Sequence, residues 1–229
     1  MVSPVLVALD FSELGRALSV ARQVAPHVGG FKVGLELLMS EGPLAISRIA
    51  EVGLPVFADA KLHDIPNTVA GAARSLGRHG PRWVTVHPGG RAMIEAAVEA
   101  LAESTDGEGG ILVVTVLTSL APDDLTEIGV DRSVSEQVAG MARLASAAGA
   151  EGAVCAPSES ALVRATAPDL TVVTPGVRPA GAPGGDQKRH STPAAARAAG
   201  ADWLVIGRPI TAAPDPVEAA RLIEIELAL

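Results

Sequence analysis

Lysine is scarce in this chain. Of its 229 residues 18 are Lys or Arg, yet Lys stands only at Lys32, Lys61 and Lys188, and Asn only at Asn67. A surface built on Arg keeps Lys where a compact ammonium able to give up its proton serves and a permanently charged guanidinium does not. Cysteine is scarcer still. Cys155 is the chain's one cysteine, which excludes an internal disulfide framework and makes a reducing cytoplasm the expected setting. No apolar run reaches the roughly 18 residues of a membrane span. Met1-Val2-Ser3-Pro4 has no basic character, so no signal peptide is expected. Basic charge is also short. A formal net charge of -8 argues against nucleic-acid binding, while a local Arg and Lys cluster remains able to hold a small anion. The turn after the first apolar run reads Asp10-Phe11-Ser12-Glu13-Leu14, with no glycine fingerprint for a dinucleotide. No phosphate-loop, H-E-x-x-H or G-x-S-x-G pattern occurs.

What is present is a recurring unit. Eight runs rich in Val, Ile and Leu are each followed by a helical pattern: Val5–Asp10, Phe31–Leu35, Pro55–Ala60, Trp83–His87, Ile111–Leu117, Gly152–Ala156, Leu170–Thr174 and Trp203–Ile206. Continuous rather than alternating apolar runs mark parallel strands buried on both faces. Eight strand–helix units in this length predict one α/β domain over residues 1–229, a (β/α)8 TIM barrel. Helix ends are readable. Ser12 is expected to cap the first helix, and Ser133 with Glu136 forms a capping box. Thr192-Pro193 and Asp215-Pro216 each place a cap before a first-turn Pro. Gly53, Gly80, Gly149 and Gly200 are expected to close helices. Thr105–Gly110 and Ala180–Gly185 read as loops within the domain.

In such a barrel chemistry gathers at the C-terminal ends of the strands. Those ends carry Asp10, Lys32, Asp59, Lys61, Asp64, His87, Thr118, Arg178 and Arg208. Asp59 and Lys61 are two apart, and on an extended strand they point the same way, into the lumen. Carboxylates flanking an ammonium in one mouth are costly unless they neutralise one another, so the array reads either as a structural ion-pair network or as an acid–base site. A second cluster, Gly176-Val177-Arg178 through Gln187, Lys188 and Arg189 to Gly207-Arg208, follows strands seven and eight, where barrels commonly bind phosphate. Arg208 can bind bidentately and Gln187 can donate from its amide. Together the clusters imply a phosphorylated substrate whose reacting end meets the Asp–Lys array.

The segment Asp59-Ala60-Lys61-Leu62-His63-Asp64-Ile65-Pro66-Asn67-Thr68 resembles the signature of the orotidine 5'-monophosphate decarboxylases. The resemblance runs through nearly the whole chain. It takes in Ala8-Leu9-Asp10, Phe31-Lys32-Val33-Gly34, Val116-Leu117-Thr118-Ser119, Thr174–Arg178, Gly184–Arg189 and Gly207-Arg208. It implies a decarboxylase of de novo pyrimidine biosynthesis that needs no cofactor or metal and makes uridine monophosphate. Lys61 would be the proton donor. Asp59 and Asp64 would lie near the scissile carboxylate, with Lys32 completing the charge array. Asp10 and Lys32 would contact the ribose, and Thr118 would face the pyrimidine. Arg178, Gln187, Gly207 and Arg208 would hold the pyrimidine–phosphate end. Asp64, Ile65 and Thr68 would reach a second copy's site, making the active unit a homodimer. One departure is His87-Pro88-Gly89-Gly90, where Pro88 stiffens the fourth loop.

Other conspicuous residues read as ordinary ones. His63 is expected at the surface or supporting the site; His87 reads equally as packed or functional. Cys155, Met93 and Met141 are expected in the core, Lys188 on a loop, and Asp123-Asp124 at a helix start. Two other functions are weighed. A metal-dependent sugar-phosphate decarboxylase or aldolase-like relative would carry an acid where Lys32 stands. A silent phosphate-binding barrel would be expected to lose Lys61 or an Asp.

Overall fold

The apolar runs become the staves of a closed barrel. A computed structural model describes residues 3–179 and 191–228. The strands are β1 (Val5–Ala8), β2 (Gly30–Val33), β3 (Val56–Leu62), β4 (Trp83–Val86), β5 (Gly110–Val114), β6 (Gly152–Val154), β7 (Thr171–Thr174) and β8 (Trp203–Ile206). All neighbours pair in parallel, and β1 closes on β8 through Val5 opposite Leu204. The expected (β/α)8 barrel is therefore the fold. Most strands stop short of the apolar runs: the fifth was expected to Leu117 and ends at Val114, because the barrel wall gives way there to the rim of a cavity.

Among the described residues the helices are α1 (Leu14–Val24), α2 (Leu35–Glu41), α3 (Leu44–Ala50), α4 (Pro66–Gly77), α5 (Arg91–Ser104) and α6 (Pro122–Glu127). They continue with α7 (Val134–Ala147), α8 (Ser160–Thr166), α9 (Pro193–Ala198), α10 (Arg208–Thr211) and α11 (Pro216–Ala228). Both faces of each strand are buried, in two distinct cores. Val5, Val7 and Leu9 join the large cluster under the helices, while Leu6 and Ala8 join Phe57, Trp83, Leu112, Val173 and Val205 in the barrel interior. This period-two division explains why the strands read as unbroken apolar runs.

The helix ends largely follow their chemistry. Ser133 accepts from the Glu136 amide while the Glu136 carboxylate takes the Ser133 amide at 3.0 Å. Thr192 caps α9, and the Asp215 carboxylate takes the amides of Val217 and Glu218 at 3.0 Å each. Asp124 takes the Ala121 amide at 2.6 Å as α6 starts. Ser12 is the exception. The N-cap of α1 is Glu13, with no side-chain cap, and the Leu14 amide instead finds the Glu41 carboxylate at 3.0 Å. A partner on α2 has displaced the local cap.

The barrel floor is held by the start of β4. Trp83 meets Trp203 edge-on at 5.3 Å between ring centroids, and its indole N–H donates to Glu151 at 2.8 Å. Arg82 lies 4.8 Å over the Trp83 ring and also binds Glu151. The opposite end of the barrel is left open for polar groups.

Candidate active site

At the C-terminal mouth, acids and bases alternate in one row. Lys32 lies 2.8 Å from Asp10 and 3.7 Å from Asp59, and the Lys61 ammonium lies 2.6 Å from the same Asp59 oxygen. The four partners come from three neighbouring strands: Asp10 two residues past β1, Lys32 from β2, and Asp59 and Lys61 from β3. Lys32 is buried, and closure of this corner requires Gly34: a methyl group there would come within 2.5 Å of both the Asp10 carboxylate and the Lys32 ammonium.

Asp59 and Lys61 do converge, but not because β3 is regularly extended. Lys61 has φ of +49°, in the left-handed region, and the register of β3 against β4 shifts between Ala58 and Leu62. A non-glycine residue held there is strained, and such strain persists only where its surroundings over-determine it. The Lys61 amide, turned out of the ladder, donates to the Thr85 hydroxyl at 2.9 Å, and that hydroxyl donates to Asp59 at 2.9 Å.

Burial by itself would push the Asp59 carboxyl upward. The charges of Lys32 and Lys61, helped by hydrogen bonds from Lys61 and Thr85, outweigh it and hold the group below 3.8. Asp59 is thus a carboxylate at neutral pH. His87 is pushed below 6.5 first by burial, then by Lys61 and His63, with Asp59 opposing. It does not line the cavity; its ring faces that of exposed His63 at 6.0 Å.

The row opens into a cavity of about 450 Å³, within the range of small-molecule sites. Of the residues expected at the site, Asp10, Lys32, Asp59, Lys61, Thr118, Arg178, Gly207 and Arg208 line it. Asp64, Ile65 and Thr68 do not. They are exposed at the end of β3 and the start of α4, and Ile65 is 66% exposed. Gln187 and Lys188 lie outside the described residues. Cys155 is buried as expected, although it also borders the cavity, and Met93 is in the core. Among the described residues no group of three or more His, Cys, Asp or Glu side chains is arranged to hold a metal ion.

Two residues escaped the sequence reading. Glu36, in the first turn of α2, lines the cavity. Thr85 is a lone hydroxyl in an apolar strand, and its signal was positional: it lies two residues after Trp83, on the inward face of β4.

Relatives match the chain over nearly its whole length. A protein from Paramagnetospirillum magneticum, an orotidine 5'-phosphate decarboxylase, is 49% identical across 100% of both chains. The orotidine 5'-phosphate decarboxylase of Moorella thermoacetica is 50% identical over 97% of this chain and 91% of its own. The crystal structure of the orotidine 5'-phosphate decarboxylase from Lactobacillus acidophilus superposes with a TM-score of 0.87 at 35% identity, covering 99% of this chain and 100% of the other. Residues 3–223 match the family model described as orotidine 5'-phosphate decarboxylase / HUMPS, and the chain belongs to that family.

Proposed function

We propose that the protein decarboxylates orotidine 5'-phosphate to uridine 5'-phosphate in pyrimidine biosynthesis. The observation that carries this reading is the row Asp10–Lys32–Asp59–Lys61 in a cavity that Arg178 and Arg208 also line. Breaking the bond between C6 and its carboxylate leaves an electron pair in the plane of the pyrimidine. The ring cannot delocalise that pair, so the site must stabilise it electrostatically. The Lys61 ammonium, beside C6, offsets the developing charge and transfers its proton to C6 as carbon dioxide departs. Asp59, ionised and next to the departing carboxylate, holds the Lys61 ammonium in place at 2.6 Å. Asp10 and Lys32 take the ribose, and Thr118 faces the pyrimidine. Arg178, Gln187, Gly207 and Arg208 hold the pyrimidine–phosphate end, so that contacts remote from C6 position the ring.

Asp64, Ile65 and Thr68 complete the site of a second copy, in a homodimer. Their exposure supports this role, since in a single chain they stand outside the cavity that holds the Asp–Lys row. The rival metal-dependent chemistry is disfavoured by Lys32, whose ammonium stands where that chemistry would want an acid and repels a cation. The cytoplasm is the proposed location. The buried thiol of Cys155 suits it, and among the described residues no helix is long and apolar enough to cross a membrane.

The test is to mix purified protein with orotidine 5'-phosphate and a chelator and follow loss of orotate absorbance. Rapid loss, with uridine 5'-phosphate as product, is expected. Activity appearing only with added metal and a sugar phosphate would overturn the assignment.

A further inference from the structure

Thr85 sits at the middle of β4 and is fully buried. Its neighbour along the inward face is Trp83, and the rest of the strand is valine. A valine would fill the same space with better β propensity and no polar atom to satisfy. The hydroxyl therefore needs a reason, and its two partners supply one. It accepts from the Lys61 amide at 2.9 Å and donates to Asp59 Oδ1 at 2.9 Å.

Both partners depend on it. The bulge in β3 takes the Lys61 amide out of the ladder, so the Thr85 oxygen serves as its acceptor while Lys61 holds a φ of +49°. Asp59 Oδ2 is occupied by the two ammonium groups, at 2.6 Å from Lys61 and 3.7 Å from Lys32. Thr85 takes the other oxygen and so fixes the rotation of a carboxylate whose terminal torsion is intrinsically broad. A hydroxyl has one proton. Given to Asp59, it leaves the oxygen's lone pairs for Lys61, so each bond orients the other.

We propose that Thr85 is a positioning residue for the decarboxylation, coupling the backbone turn that aims Lys61 to the carboxylate that receives its ammonium. The proposal rests on the decarboxylase reading. Thr85→Val keeps volume but leaves a buried amide and a buried carboxylate oxygen without their partner. Both groups relax, and the ammonium moves relative to C6. Misplacement on the ångström scale costs on the order of 100-fold in rate.

Wild type, Thr85→Val, Thr85→Ala and Thr85→Ser are compared for kcat, KM for orotidine 5'-phosphate, affinity for uridine 5'-phosphate, and melting temperature. The variants lacking the hydroxyl are expected to lose about 10- to 100-fold in kcat. KM and product affinity stay near wild type, and Ser restores most of the rate. Should Val fail to fold, Ala, which inserts no methyl beside the carboxylate, gives the same comparison. Unchanged kcat in the folded hydroxyl-free variants would overturn the proposal, as would a loss confined to KM, or a Ser variant as slow as Ala. Inactivity of the wild type on this substrate would instead count against the decarboxylase reading itself.

Discussion

The residues at the mouth are tuned by one another, near and far in the chain. Asp59 stays ionised because two ammonium groups and Thr85 outweigh its burial. His87 is the converse case: burial and the nearby Lys61 charge disfavour its protonated form. The sign of its contribution follows. The unfolded chain binds a proton at this residue near pH 6.5 that the folded chain refuses. Stability from His87 is therefore full above that value and is lost as pH falls from it towards the lower folded value. Melting temperatures measured across this window should fall more steeply for wild type than for His87→Asn; parallel curves would show that His87 is not held neutral. The charged row itself was legible because Asp59 and Lys61 stand two apart beside a scarcity of other Lys. The left-handed turn at Lys61 was not, since no local preference puts Lys there; a hydroxyl 24 residues away does.

At the scale of elements, the division of each strand between two cores was readable, and the local caps were readable wherever no distant group competed. Ser133, Thr192 and Asp215 kept their roles; Ser12 lost its role to Glu41, a partner 27 residues from the amide it binds. The same kind of long-range bond closes the barrel floor. Glu151 joins the Trp83 indole to Arg82, tying β4 to the start of β6 across β5. Glu151→Ala leaves a buried indole N–H unpaired, and should lower unfolding free energy by about 1–3 kcal/mol while leaving turnover near wild type. Trp83 and Trp203 are the chain's two tryptophans, so fluorescence reads this floor directly. An unfolding midpoint unchanged from wild type would mean the clamp contributes nothing.

For the whole molecule, the barrel places a basic rim and an Asp–Lys row around one cavity, while Asp64, Ile65 and Thr68 of the signature are exposed away from it. Spacing alone could not show this separation, because Asp64, Ile65 and Thr68 follow Lys61 closely in the chain; only the family resemblance implied it. If a second copy uses those residues, activity and association are one property. Ile65→Glu, a charge placed on a side chain 66% exposed in the single chain, should convert a dimer into monomers and reduce turnover in the same dilution range. Sedimentation paired with activity measures both; a fully active monomer would remove the shared site.

The most direct measurement is single-turnover decarboxylation of orotidine 5'-phosphate by wild type and Lys61→Ala, with chelator present and uridine 5'-phosphate affinity measured for both. In the proposed mechanism the ammonium is both the charge facing C6 and the source of its proton, so the expected result is a folded, ligand-binding variant slowed by several orders of magnitude beside a fast wild type. Near-normal turnover by Lys61→Ala would contradict the proposed mechanism.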